Sequence, residues 1–192
     1  HLQLDYRVGL LRAAAFHGSS HQAAMVCHMI VPRQLRAFEI GRHRLEFIFQ
    51  GAAAFAQVNQ AKYLGQLKTD AGYAKVSGVE LTLLDCARYF HRAGGIGGLA
   101  QIVKDLGGAT DPVKLAGLAE HYENSCVRRL GYLLEYMGHA LQADALRPFV
   151  RKAKSSALLD PAVKPLSSVL PGVREPQPAW GLVVNELVEV DS

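Results

Sequence analysis

Apolar positions change their spacing several times along this chain of 192 residues. Over residues 6–17, Val8, Leu11 and Ala15 recur at helical intervals, Asp5 stands where a cap belongs and Gly18 follows as a left-handed stop. That pattern predicts an N-terminal helix. Residues 25–31 are largely apolar and β-prone, with His28 among them, up to Pro32. Arg36, Phe38 and Ile40, then His43, Leu45, Phe47 and Phe49, form two runs hinged at Gly41 and Arg42, the mark of a hairpin or meander. Alternation along the second run puts Arg42 and Arg44 on one face and turns Leu45, Phe47 and Phe49 towards the core. Residues 52–60 are alanine-rich and predict a helical turn. Residues 63–68 and 73–76 flank Asp70, Ala71 and Gly72, a second hairpin whose turn is supplied by Asp and Gly.

From Ser77 onwards the period becomes helical. Ser77 and Glu80 match the capping-box spacing, and Leu81, Leu84, Asp85, Arg88 and Tyr89 continue to about Phe90. Gly94, Gly95, Gly97 and Gly98 interrupt before residues 99–106 resume. Asp111 followed by Pro112 is a cap with proline at the first helical position. Ser125 is positioned to cap a helix whose Val127, Leu130, Leu133, Leu134 and Met137 make an apolar stripe ended by Gly138. Residues 140–154 form another. Residues 155–178 hold five prolines and predict an extended wrap, and residues 180–190 alternate like a late strand. An N-terminal helix and a mixed or antiparallel sheet, a helical half and a returning C-terminal strand predict an α+β fold in one domain, 1–192, with 155–179 as the wrap.

Composition narrows the class. With 49% hydrophobic and 20% charged residues, the chain has enough apolar material for one sizeable core, which excludes disordered and fibrous classes. No apolar run approaches the roughly 18 residues of a membrane span, and no signal peptide is legible at the start. Three scattered cysteines without CxxC spacing fit a reducing cytoplasm. The net charge of +4 is uneven: residues 1–154 carry 19 basic and 12 acidic side chains, residues 155–192 carry 2 and 5. Residues 6–38 contain no carboxylate, yet hold Arg7, Arg12, Arg33 and Arg36. Such a stretch accommodates an anionic partner.

Catalytic constellations are hard to find. Gly95, Gly97 and Ala100 spell GxGxxA, but a helix precedes them where a dinucleotide loop requires a strand. His17, His21, Cys27 and His28 are close in sequence, but Gly18, Ser19 and Ser20 end the helix so that the histidines need not share a face, and no metal or cofactor is expected. The carboxylate gap up to Glu39 removes the acids a metal-dependent nucleotidyltransferase would need. Glu80 reads as a cap residue and Asp85 as the structural partner of a nearby arginine such as Arg88. Arg33, Arg36, Arg42 and Arg44 crowd the first hairpin, and Arg88, His91 and Arg92 lead into the glycine corner. Together they suit phosphates, although charge on a strand edge also deters edge-to-edge pairing. Arg128 with Arg129, and the basic residues from Arg147 to Lys154, read as solvated helix faces.

The stretches YRVGLLRAAAFHGSSHQ (6–22), IVPRQLRAFEIGRHRLEFIF (30–49), GYAKVSGVELTLLDCARYFHRAGGIGGLA (72–100), RLGYLLEYMGH (129–139) and WGLVVN (180–185) resemble, in matching order, the C-terminal domain of AbiEi-type antitoxins. These are the antitoxin and transcriptional-regulator halves of type IV toxin–antitoxin, abortive-infection operons. The resemblance implies a non-enzymatic cytoplasmic autoregulator that opposes a nucleotidyltransferase-like toxin and binds the operator DNA of its own operon, with no membrane partner. Family members carry a winged helix-turn-helix ahead of this domain, and none is visible here. The residues expected at nucleic acid are Arg33, Arg36, Arg42, Arg44, Arg88 and Arg92. Two alternatives remain open at this stage: a domain that docks a protein or RNA without binding DNA, and a nucleic-acid-processing enzyme.

Overall fold

The structure, a computed structural model, describes residues 4–19, 26–41, 43–69, 72–163 and 175–190. His21, Arg42, Asp70, Ala71 and the middle of the expected wrap lie outside the described residues. The main sheet contains β1 (Arg7–Val8), β2 (Val26–Val31), β3 (Phe38–Ile40), β4 (His43–Phe49), β5 (Leu64–Thr69) and β6 (Gly72–Ser77), in the order β3-β4-β2-β1-β6-β5. Both expected hairpins form as antiparallel pairs, β3 with β4 and β5 with β6. Parallel pairing of β2 with β4 and of β1 with β6 makes the sheet mixed. The helices are α1 (Leu10–Phe16), α2 (Ala52–Val58), α3 (Val79–Arg88), α4 (Gly95–Leu106), α5 (Pro112–Ala119), α6 (Asn124–Tyr136) and α7 (Ala140–Arg151). A second sheet joins β7 (Ala157–Leu158), β9 (Leu182–Val184) and β8 (Glu175–Gln177), so the fold is α+β.

The beginning of the chain departs from the expected helix. Arg7 and Val8 are buried opposite Ile30 and Met29, and Val8 also pairs with Val76. Two sheet partners outweigh a weak helical period there. The helix starts only at Leu10, which takes φ +50, and Asp5 binds Lys75 at 2.6 Å instead of capping. The capping box at Ser77 and Glu80 does not form either. The Ser77 hydroxyl donates to Asp85 at 3.3 Å, and the Glu80 carboxylate accepts from the amide of Asp111 at 2.9 Å. Asp111 does cap α5, accepting from the amides of Val113 and Lys114 at 2.9 and 3.1 Å. At α6 the helix opens one residue earlier than Ser125, with Glu123 in the cap position.

Helix α3 is the hub. Its residues 81–87 are all buried, and it packs against α1, α4, α5 and α6. The C-terminal segment closes the core: Trp180 is fully buried beside α6 at Gly131, where any side chain would collide with the indole. Arg128 and Arg129 of α6, expected on a solvated face, are buried and fasten this segment. Arg128 donates to the carbonyls of Ser155 at 3.2 Å and Gly181 at 2.5 Å, and Arg129 donates to Leu159 at 2.6 Å.

Candidate nucleic-acid interface

The site is built outward from one buried cluster. Arg7 and Asp85, both fully buried, meet in a bidentate pair at 3.1 and 3.0 Å. Asp85 therefore partners a strand arginine 78 positions away and not Arg88 of its own helix. The Arg7 guanidinium also donates to Gln50 at 3.0 Å, and the Tyr122 hydroxyl donates to Asp85 at 2.7 Å. Burial is the largest influence and works against the charge on Arg7, but the Asp85 carboxylate together with Tyr122 and Tyr89 outweighs it, and the net shift of its pKa is upward. This cluster locks the sheet to α3 and sets the orientation of the strands that carry the surface arginines.

Register decides which face each strand residue occupies. Arg7, Ile30 and Ile48 lie opposite one another on β1, β2 and β4, facing the core with Asp85. The neighbouring row, Val8, Met29 and Phe47, faces the other way. Leu45, Phe47 and Phe49 therefore do not enter the core as alternation alone implied; Ile48 does, and Phe49 stays 49% exposed. Alternation fixes that residues share a face, but a neighbouring layer decides which face is buried.

The six predicted arginines divide into distinct settings. Arg44 and Arg92, far apart in sequence, meet on one carboxylate: Arg44 Nε lies 2.9 Å and Arg92 Nη1 2.8 Å from Glu46. The hairpin and the glycine corner thus form one half-exposed patch with more positive than negative charge. His28 completes it with Nε2 3.6 Å from Glu46. Burial lowers the His28 pKa most; Glu46 opposes this and Arg92 adds to it. Arg33 and Arg36 are exposed on the connection from β2 to β3 and, among the described residues, make no ion pair. Arg88 is held by Glu123 at 2.6 Å and lies over the rings of Tyr89 and Tyr122. Arg42 lies outside the described residues. Arg12, which the sequence offers only as a member of the carboxylate-free stretch, is exposed on α1.

The glycine corner has structural reasons for its composition. Gly94 and Gly95 have φ +88 and +74, and a Cβ at Gly98 would collide with the carbonyl of Ala93. Gly97 and Gly98, with Gln101 of α4 and residues 188–190, line a cleft of about 730 Å³. The cysteines are unpaired, and burial pushes the Cys126 thiol up to about 12 and the Cys86 thiol higher still. Among the described residues, no group of three or more His, Cys, Asp and Glu is arranged to hold a metal ion, and no helix is long and apolar enough to cross a membrane.

Comparison with known proteins agrees with this architecture. No curated protein matches the chain. The crystal structure of the RV2827C protein from Mycobacterium tuberculosis superposes with a TM-score of 0.60 at 18% identity, covering 93% of this chain and 61% of that one. At that identity the likeness shows the fold, and the chain spans about three fifths of that protein's length. The family model described as the AbiEi antitoxin C-terminal domain matches residues 7–136, from the buried Arg7 to the end of α6. This match covers more than half of the chain, which therefore belongs to the AbiEi antitoxin family through its C-terminal domain.

Proposed function

We propose that this antitoxin domain acts as a non-enzymatic autoregulator that opposes a nucleotidyltransferase-like toxin and binds the operator DNA of its own operon. A winged helix-turn-helix of the kind found ahead of this domain in the family would read the operator bases, while this domain adds phosphate contacts. The observation that carries the DNA reading is the meeting of Arg44 and Arg92 on Glu46. One carboxylate leaves two guanidiniums undercompensated, and their remaining N–H groups suit phosphate oxygens. Exposed Arg33 and Arg36 extend the positive surface, and Arg42 belongs to the same hairpin by sequence. Arg88 contributes least, because Glu123 already neutralises it.

Fluorescence anisotropy with a labelled duplex carrying the inverted repeats of its own promoter tests this. Combined replacement of Arg33, Arg36, Arg44 and Arg92 by Ala should weaken binding at least tenfold. It should also flatten the dependence of log K on log salt by about one per lost phosphate contact. Unchanged affinity and slope in a folded variant would overturn the assignment of these arginines. Survival of cells coexpressing the neighbouring toxin reports the antitoxic role separately.

A further inference from the structure

We propose that the open face of the main sheet, over β3, β4 and β2, is a stacking platform for single-stranded nucleic acid. Phe38, Phe47 and Phe49 take bases, and Arg12, Arg33 and Arg36 take the flanking phosphates. This face is opposite to the one that holds Ile30, Ile48 and the Arg44 to Glu46 contact, so it is a second surface that shares with the first only Arg33 and Arg36 of the connection from β2 to β3.

Sheet faces turned to water ordinarily show polar side chains. Here Phe38 lies opposite Leu45, and Phe47 sits between Leu45 and Phe49 on the same face of β4. On β2 this face carries the half-buried Cys27 and Met29 and the buried Val31, so no charge interrupts it. Phe38 and Phe49 are 42% and 49% exposed, and the Phe38 and Phe47 ring centroids are 5.7 Å apart with planes tilted by 31°. Ala13 of α1 covers Val8 and Val76 farther along the same face, which leaves the aromatic end uncovered by that helix.

Charge identifies the occupant. Residues 6–38, which contain no carboxylate, build β1, α1, β2 and the connection to β3, all bordering this face. Arg12, Arg33 and Arg36 are exposed there without an ion-pair partner among the described residues, and Arg12 is near enough to act on the Cys27 thiol. An apolar face with a wholly cationic border matches a ligand that combines flat π-surfaces with regularly spaced negative charge. Single strands expose their base faces for stacking on aromatic side chains, whereas a duplex hides them.

The test uses labelled dT12 and U12 oligomers at low salt, with the operator duplex measured in parallel. Wild-type protein should bind at least one oligomer, and the double variant Phe38→Leu, Phe49→Leu should lose more than fivefold. Stacking on an aromatic ring contributes about 1–3 kcal/mol per base, equivalent to about 5–150-fold. Duplex binding should change less than twofold, and Phe49→Tyr should retain oligomer binding. Leucine keeps the apolar area of these exposed positions, so the fold is preserved; Phe49→Leu alone serves as the milder variant. Absence of wild-type binding to both oligomers overturns the proposal. So does a loss under fivefold, which would assign the face to an apolar protein partner, or an equal loss on the duplex. Oligomer binding without duplex binding would refute the operator reading and leave this one standing.

Discussion

Arg7 and Asp85 are the pair on which the sheet and the helical half meet. Asp85 accepts from Arg7, Tyr122 and Ser77, so its charge is matched within a space that excludes water. Removing one member leaves the other buried and uncompensated, which costs about 3–5 kcal/mol. Asp85→Ala should therefore lose that much in urea unfolding, while Arg7→Met combined with Asp85→Leu should recover most of it. A double variant as unstable as the single one would mean that Asp85 acts through packing and not through charge. Neither partnership is visible in sequence, because the two residues are 78 positions apart and Arg88 offers a nearer cation. Arg128 and Arg129 behave likewise: adjacent arginines normally mark a solvated face, but backbone carbonyls of the C-terminal segment capture both and they are buried. The basic character legible in the sequence thus overstates the charge available to a ligand.

Helix α6 shows how one element gathers distant segments. It contributes Gly131 under Trp180, the two buried arginines, and Glu135, which accepts from the indole Nε1 at 2.5 Å. Arg147 of α7 lies over the other part of that ring, 4.3 Å from its centroid. Gly131→Ala would gain helix propensity of about 1 kcal/mol but force the indole out of its slot, and overpacking of this kind costs about 1–3 kcal/mol. The expected net result is a lower thermal midpoint and a red shift of tryptophan fluorescence in the native state. A raised midpoint with unchanged emission would show that the slot yields easily. Elements themselves were largely legible: both hairpins, the Asp111 cap and the apolar stripe of α6 are local patterns. The expected caps at Asp5 and Ser125 do not form, and at β1 and the Ser77 cap distant partners outcompete local ones.

At the scale of the whole molecule, the family match ends at residue 136 while the core does not. Leu146, Phe149, Leu159, Trp180 and Leu182 belong to the same apolar cluster as α3 and α4. A chain ending at residue 136 should consequently lose cooperative unfolding and near-UV circular dichroism, since the faces of α6 that these residues cover would be exposed to water. Cooperative unfolding of that shortened chain would show the matched region to be an independent unit. By itself the sequence determined what depends on neighbours along the chain: strand and helix periods, turn residues, the Asp111 cap, and a carboxylate-free basic stretch with no legible catalytic constellation. Tertiary structure alone decided which face of each strand is buried, which arginines are neutralised and which remain available. A strand's alternation is symmetric between its two faces, and a charge is cancelled by whichever group folding brings within about 3 Å.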